Sequence, residues 1–367
     1  MEAWKLKEEM KSLWRESFRD SSAYLGMAVD AYFDPETVAY REENGELKTA
    51  LLGIPYEFAG SGGSRPLKGL YLCGLATRKD SRRKGYMSGL LEDINHKAEM
   101  AGYDFTFLIP PSEGVRAFCR SRGYHDSFFK IRENYVKGHK FNSDTSIQVS
   151  SLSAENISEI LEFLCVSKTI FPKGKGKYFL QHTRRDWEMV LKKQQFAVRM
   201  IYVGRKDNAV VGVAFAREGD RGRIEVARIV GEDDIIQPML AEIERLNPEK
   251  NITFVRDLVE AVGDYDGQIW SPFFARNNPK TAEYEDVAEV EVPFNIARNA
   301  YPSGMAKIFD IDKILKKIGW EDLKALEGYN ADEQQELLLR RPAGAGADAL
   351  EKILQLPELT LSMSLMP

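Results

Sequence analysis

The chain is poor in the residues that build metal centres and disulfide scaffolds. It has three cysteines and four histidines in 367 residues. Cys73, Cys119 and Cys165 are widely spaced and form no C-x-x-C pair, and such an odd set does not make a disulfide framework. His96, His125, His139 and His182 are isolated, with no H-x-x-x-H spacing, so no metal site is expected and none of them is given a role. A run of about 18 apolar residues is missing, which excludes a transmembrane helix. Met1–Leu13 lacks the apolar stretch of a secretory leader. Positive charge is not in excess either. The net charge of -5 gives no global footprint for nucleic acid. The expectation is a soluble protein of a reducing, cytoplasmic compartment that binds neither nucleic acid nor membrane. A homo-oligomer is compatible with it.

What is present is ordinary globular material, with 43% hydrophobic and 29% charged residues, in a length that suggests two or three domains. Leu6, Met10, Leu13, Trp14 and Phe18 recur at helical spacing. Ser21–Phe33 reads as a second helix. Strands over Thr37–Arg41 and Leu47–Phe58 flank the hairpin signal Glu43-Asn44-Gly45. Ala59–Pro66 is a loop, Leu67–Thr77 a buried strand, Ser88–Ala101 a helix, Asp104–Ile109 a strand, Ser112–Arg122 a helix ending at Gly123, and Phe128–Tyr135 a strand. After the polar stretch Lys137–Thr145 comes a second α/β unit. It has a helix from Asn156, strands over Phe196–Val203, Ala209–Arg217 and Arg223–Ile229, a helix over Asp234–Leu246 and a strand over Ile252–Val255. Met305–Ile318 begins a strand-then-helix tail, and the chain ends in the apolar stretch Leu356–Met366.

One segment carries chemistry. Gly74–Leu91 runs from a buried strand through a basic, glycine-containing turn into a helix. The first turn of a helix has N–H groups without intrahelical partners, and with the helix dipole they form an anion site. Gly85 lets the backbone approach a phosphate closely. Arg82, Arg83 and Lys84 add positive charge beside it. A pyrophosphate suits this arrangement. A solvated basic turn is the alternative.

Arg82-Arg83-Lys84-Gly85-Tyr86-Met87 resembles motif A of the GNAT acetyltransferases, R-x-x-G-x-[GA]. The resemblance implies an acetyl-CoA-dependent acyltransferase with a mixed α/β central sheet flanked by helices. The backbone from Arg82 through Ser88 would hold the coenzyme A pyrophosphate, and Leu75, Ala76 and Thr77 would pair with the pantetheine arm. Ser112–Tyr124 resembles the family's next helix, with Phe118-Cys119-Arg120-Ser121-Arg122-Gly123-Tyr124 in place of F-Y-x-x-x-G-F. Two departures stand out. Met87 replaces a small residue, and Cys119 replaces the tyrosine that protonates the departing thiolate.

The implied reaction is aminolysis of a thioester, with backbone N–H groups near Leu75–Thr77 stabilising the oxyanion. Cys119, water or Tyr124 would be the acid. Glu57, Tyr56 and Glu113 are candidates for the base. The acceptor would be a primary amine of a small molecule or a protein lysine. The alternatives are a coenzyme A-binding regulator and a tandem aminoacyl or other acyl transferase.

The layout resembles the enhanced-intracellular-survival (Eis-type) acetyltransferases: a GNAT domain over residues 1–140, a degenerate GNAT-like domain over 141–303 without a cofactor motif, and a short sterol-carrier-protein-like α+β part over 304–367. Tyr301–Asp310 resembles the start of that third part. In that family the C-terminal carboxylate, here that of Pro367, can be the general base. Phe171–Lys177 lacks the order of a nucleotide-binding P-loop and reads as a basic loop. Trp270-Ser271-Pro272-Phe273-Phe274 reads as core packing or an acceptor cleft.

Overall fold

A computed structural model describes residues 1–60, 65–152, 156–167, 177–196, 199–219, 222–257, 300–318, 330–339 and 360–362. These form two compact units. One is built from Met1–Ser127 with residues 303–318 and 330–339, the other from the described part of Phe128–Pro302 with 360–362.

The first unit opens with α1 (Ala3–Ser17) and α2 (Ser22–Tyr32). The buried face of α1 is Leu6, Met10, Leu13 and Trp14, the spacing read from the sequence. The Ser21 hydroxyl caps α2 by accepting from the Tyr24 N–H at 3.2 Å. Next come β1 (Ala39–Glu43) and β2 (Glu46–Gly60). Their turn is Asn44-Gly45, both left-handed at φ 53° and 79°, which suits the twist of a two-residue hairpin. β3 (Leu67–Thr77) pairs antiparallel with β2, from Phe58 opposite Leu67 to Thr49 opposite Thr77. Helix α3 (Tyr86–Met100) then leads to β4 (Phe105–Leu108), which lies parallel to β3.

Side chains of β3 alternate between two cores. Leu70 and Leu72 pack with Leu90, Leu91, Ile94 and Ala98 of α3. The opposite face carries interlocked rings, with Phe58 5.2 Å from Phe105 and Tyr71 5.2 Å from Phe107. α4 (Glu113–Arg120) follows, capped by the Ser112 hydroxyl. The next strand, β5 (His125–Tyr135), passes into the second unit at Phe128.

In the second unit come β6 (Gln148–Ser151), α5 (Ile157–Val166), β7 (Lys177–Leu180), α6 (Arg184–Phe196), β8 (Arg199–Lys206), β9 (Ala209–Glu218), β10 (Ile224–Gly231), α7 (Ile236–Leu246) and β11 (Ile252–Asp257). The strands run in the order β5-β11-β10-β9-β8-β6, with only β10 and β11 parallel in that series. Ile160, Leu161 and Leu164 of α5 and Trp187, Val190 and Leu191 of α6 cover one face. Met239, Leu240 and Ile243 of α7 cover the other. The sequence reading missed β6 and β7, too short to show a period, and α6, whose apolar residues are outnumbered by charge.

Three elements close the description: β12 (Ala300–Ile308), α8 (Ile311–Lys317) and α9 (Ala331–Leu339), with the short β13 (Thr360–Ser362) parallel to β7. Residues 303–318, which include most of the stretch read as the start of a third part, cluster with the first unit. Met305–Ile308 pair antiparallel with Leu108–Phe105. Met305 and Ile314 are fully buried. The buried carboxylate of Asp104 holds α8, accepting from Lys317 Nζ at 2.6 Å and lying 2.9 Å from Lys313 Nζ. The Lys68 N–H donates to the same carboxylate, and these partners hold its pKa below the ordinary value against the opposing effect of burial. The division between the two units falls inside β5, after Ser127.

Candidate functional site

The site begins at a fault in the β2–β3 ladder. Ala50 faces Ala76 and Leu52 faces Cys73, so Gly74 and Leu75 together oppose Leu51. This is a β-bulge, and it turns backbone groups out of the ladder. Gly74 is left-handed, at φ 64°. A Cβ there would run into the Trp14 ring. On the other edge of β3, parallel pairing runs only from Gly69 opposite Phe105 to Tyr71 opposite Phe107. Beyond Tyr71 the two strands part. Leu72–Thr77 have no strand on that side among the described residues, which there leaves a backbone-lined slot. The sequence-predicted residues Leu75, Ala76 and Thr77 lie along it. Thr49 steadies this end, donating from Oγ1 to the Ala76 carbonyl at 2.8 Å and lying 2.9 Å from the Thr77 hydroxyl.

The basic turn divides its charges between two tasks. Arg78 is structural: it donates to Glu16 at 3.0 Å, to Glu9 at 2.9 Å and to the Leu47 carbonyl at 3.3 Å. Arg78 holds the Glu16 carboxyl below the usual carboxylate range, and the Lys79 N–H adds to the effect. Arg82 closes the turn by donating from Nε to the Thr77 carbonyl at 3.1 Å. Arg83 and Lys84 are exposed and make no ion pair among the described residues.

Gly85 then enters α3 at φ 82°, and no side chain caps the helix. The N–H groups of the first turn, at Tyr86, Met87 and Ser88, therefore keep their capacity for an anion. A Cβ on Gly85 would meet nothing within 4 Å, so the space in front of the turn is open. The Met87 side chain does not stand in that space. It packs against the core with Leu90 and Leu91, so its bulk leaves the backbone accessible. The Tyr86 hydroxyl donates to Glu43.

Sequence reasoning missed Arg122. Its Nη2 donates to Ser88 Oγ at 2.5 Å, and its guanidinium lies 3.7 Å from the Phe118 ring centroid. This puts a fixed cation beside the first turn of α3. Arg122 and Ser88 are 34 residues apart, and nothing local in the sequence joins them.

The proposed acids and bases fare unevenly. Cys119 has no solvent exposure and packs with Leu90, Leu91, Tyr124 and Met305. Burial pushes its thiol up to about 11, so it is protonated at neutral pH. Tyr124 is as deeply buried as Cys119. Its fully buried hydroxyl sits between Asn95, 2.9 Å away, and Thr106, 3.0 Å away, and burial raises its pKa further. Glu57 is also in the wrong place for direct proton abstraction. It faces Lys68, six residues before Gly74; that is about 20 Å along an extended strand. Tyr56 is buried among the rings of Tyr71 and Phe107. Glu113 is exposed and paired with Arg116 at 3.4 Å and Arg120 at 3.8 Å. Pro367 lies outside the described residues, as do Trp270–Phe274 and all of Phe171–Lys177 but its last residue.

Among the described residues no group of three His, Cys, Asp or Glu could hold a metal ion, and no helix is long and apolar enough to cross a membrane.

This combination of bulged strand, parting parallel neighbour and uncapped helix coincides with a family match. Residues 5–126 match the acetyltransferase (GNAT) domain family. The stretch is a GNAT acetyltransferase domain, which makes the chain an enzyme of acyl transfer that uses an acyl-coenzyme A. Solved structures share the fold over most of the chain. A conserved Enterococcus faecalis protein described as a probable N-acyltransferase is 12% identical, with TM-score 0.60, over 86% of this chain and 73% of its own. Eis1 from Mycobacterium abscessus is 12% identical, with TM-score 0.57, over 86% of this chain and 75% of its own. A GCN5-related N-acetyltransferase from Kribbella flavida is 13% identical, with TM-score 0.51, over 84% of this chain and 70% of its own. No curated protein matches the chain in sequence.

Proposed function

We propose that this protein is an N-acetyltransferase that moves the acetyl group of acetyl-CoA to a primary amine of a small molecule or of a protein lysine. The observation that carries the reading is the uncapped start of α3, entered through left-handed Gly85, beside Arg83 and Lys84, which are exposed and make no ion pair among the described residues. Its first-turn N–H groups would bind the pyrophosphate, with Arg82, Arg83, Lys84 and Arg122 supplying positive charge. The open edge at Leu75, Ala76 and Thr77 would pair with the pantetheine amides. Bound acetyl-CoA supplies the activated thioester. The bulge at Gly74-Leu75 would offer backbone N–H groups to its carbonyl, and these would stabilise negative charge developing there. Cys119, held as a thiol, is the proposed proton donor, and the Pro367 carboxylate the proposed base. The second unit is proposed to be a GNAT-like domain without cofactor.

Cys119's complete burial favours a second reading, a coenzyme A-binding regulator with little turnover. One experiment separates the two: thiol release from acetyl-CoA with a panel of primary amines, beside calorimetric coenzyme A binding. Turnover with any amine supports the transferase. Tight binding with no turnover across the panel supports the regulator. In the transferase, Cys119→Ala should lower kcat by about 10²-fold or more if the thiol donates, with coenzyme A affinity kept. An unchanged kcat makes Cys119 a packing residue.

A further inference from the structure

The face of α1 that meets β3 holds an unused donor. Trp14 is 5% exposed, and its Nε1–H has no hydrogen-bond partner among the described residues. The indole lies directly on Gly74: a Cβ there would collide with Cζ2, Cε2 and Cη2. Cε2 is the carbon that carries Nε1. The unpartnered N–H therefore sits beside Gly74, at the bulge. A buried indole normally finds an acceptor, and a buried donor left without one is destabilising. The ring is also held firmly. Phe18 packs edge-on against it at 5.7 Å, and Met10 and Leu13 of the same helix are fully buried.

Resting on the acyl-CoA reading of the slot, we propose that Trp14 sets acyl size: its indole closes the slot behind Gly74 so that it accepts a short acyl head and excludes long ones. A short head can place its carbonyl within reach of the Nε1–H and satisfy it. A longer alkyl chain meets the same ring, has to displace it from Gly74 and Phe18, and leaves the donor unpaired. The backbone selects the coenzyme A portion, while this side chain selects what the thioester carries.

The test is calorimetry on the full chain with coenzyme A, acetyl-CoA, butyryl-CoA and hexanoyl-CoA, which needs no acceptor. Wild type should bind hexanoyl-CoA at least tenfold more weakly than acetyl-CoA. Trp14→Ala removes the ring and should shift the hexanoyl-to-acetyl affinity ratio by at least tenfold toward hexanoyl, with free coenzyme A affinity within twofold of wild type. Trp14→Phe keeps an aromatic ring and most of the packing. It should lose the preference for acetyl-CoA over free coenzyme A and gain butyryl-CoA. Its affinity ratios decide the matter if the alanine variant does not fold. Wild type binding hexanoyl-CoA as well as acetyl-CoA overturns the proposal. So do variants that bind coenzyme A normally yet keep the wild-type chain-length profile. Failure of wild type to bind free coenzyme A is a different result, because that ligand has no acyl group: it refutes the acyl-CoA reading itself.

Discussion

Each unit contains a parallel strand pair crossed by a helix, and the two differ at one turn. β3, α3 and β4 have a counterpart in β10, α7 and β11. In the first unit parallel pairing covers Gly69–Tyr71 and stops before the bulge at Gly74. In the second it covers Ile224–Val226 and stops before a register shift between Val226 and Arg228. The strand ends then diverge in chemistry. From Arg78 to Gly85 the first turn holds five cations, one acid and a left-handed glycine. From Gly231 to Ile235 the second holds Glu232, Asp233 and Asp234 and no cation. Both helices start without a side-chain cap. The second turn sets carboxylates where the first offers space and positive charge, so the same backbone device would repel a phosphate there. The lesson is that the strand-helix-strand frame does not by itself suit an anion; the chemistry of the turn decides it.

The largest expected effect is on stability, at the bulge. Gly74→Ala combines a left-handed backbone with a collision against the rigid Trp14 ring. It should destabilise the first unit by about 3 kcal/mol in denaturant unfolding. Gly212→Ala in the second unit meets Ile235 Cδ1 and Met239 Sδ, the flexible ends of side chains, without a left-handed φ. It should cost less. Equal losses would mean that the bulge is not specially constrained.

Gly85→Asp makes the first turn resemble the second. It adds a carboxylate in front of the uncapped N–H groups and strains a residue at φ 82°. Coenzyme A affinity should fall about 100-fold, equivalent to about 2.7 kcal/mol, while the thermal midpoint shifts by a few degrees at most. Unchanged affinity in calorimetry would place the phosphate site elsewhere.

Asp104 stands just before β4, and the neutral Asn251 just before β11. Asp104→Asn copies the second unit into the first and should cost about 2 kcal/mol at pH 7. That is below the range for a fully buried pair, because Lys313 is 41% exposed and water screens it. The sign of the pH dependence follows from the lowered folded pKa. The stabilisation is present above the unfolded carboxyl value, about 3.9, and is lost as pH falls through the lower folded value. Wild type and variant should therefore differ fully above pH about 5 and converge in strong acid. A gap that persists there would assign the loss to packing rather than charge.

The smallest effect is a null one. Calorimetry of the full chain should find one coenzyme A per chain, and the three acids of the second turn should leave no weaker second site. A stoichiometry of two would break the comparison outright.

Local signals carried much of this protein. Leu6, Met10, Leu13 and Trp14 announced α1 because helical periodicity depends only on near neighbours. Asn44-Gly45 announced the hairpin because two successive left-handed residues are a local demand. The strand, basic turn and helix of Gly74–Leu91 were legible for the same reason, since about twenty successive residues contain the whole arrangement. Three things were not. Arg122 reaches Ser88 across 34 residues. Met305–Ile308 join β4 from nearly two hundred residues away. Trp14 covers a bulge sixty residues downstream. The placements of Cys119 and Glu57 were likewise decided by packing and register, not by their neighbours in sequence. The sequence by itself determined which segment can hold an anion, because that capacity is written in consecutive backbone and charge. Only the tertiary structure decided which side chains surround it and which of them lie too deep or too far away, because burial and reach are set by contacts between distant parts of the chain.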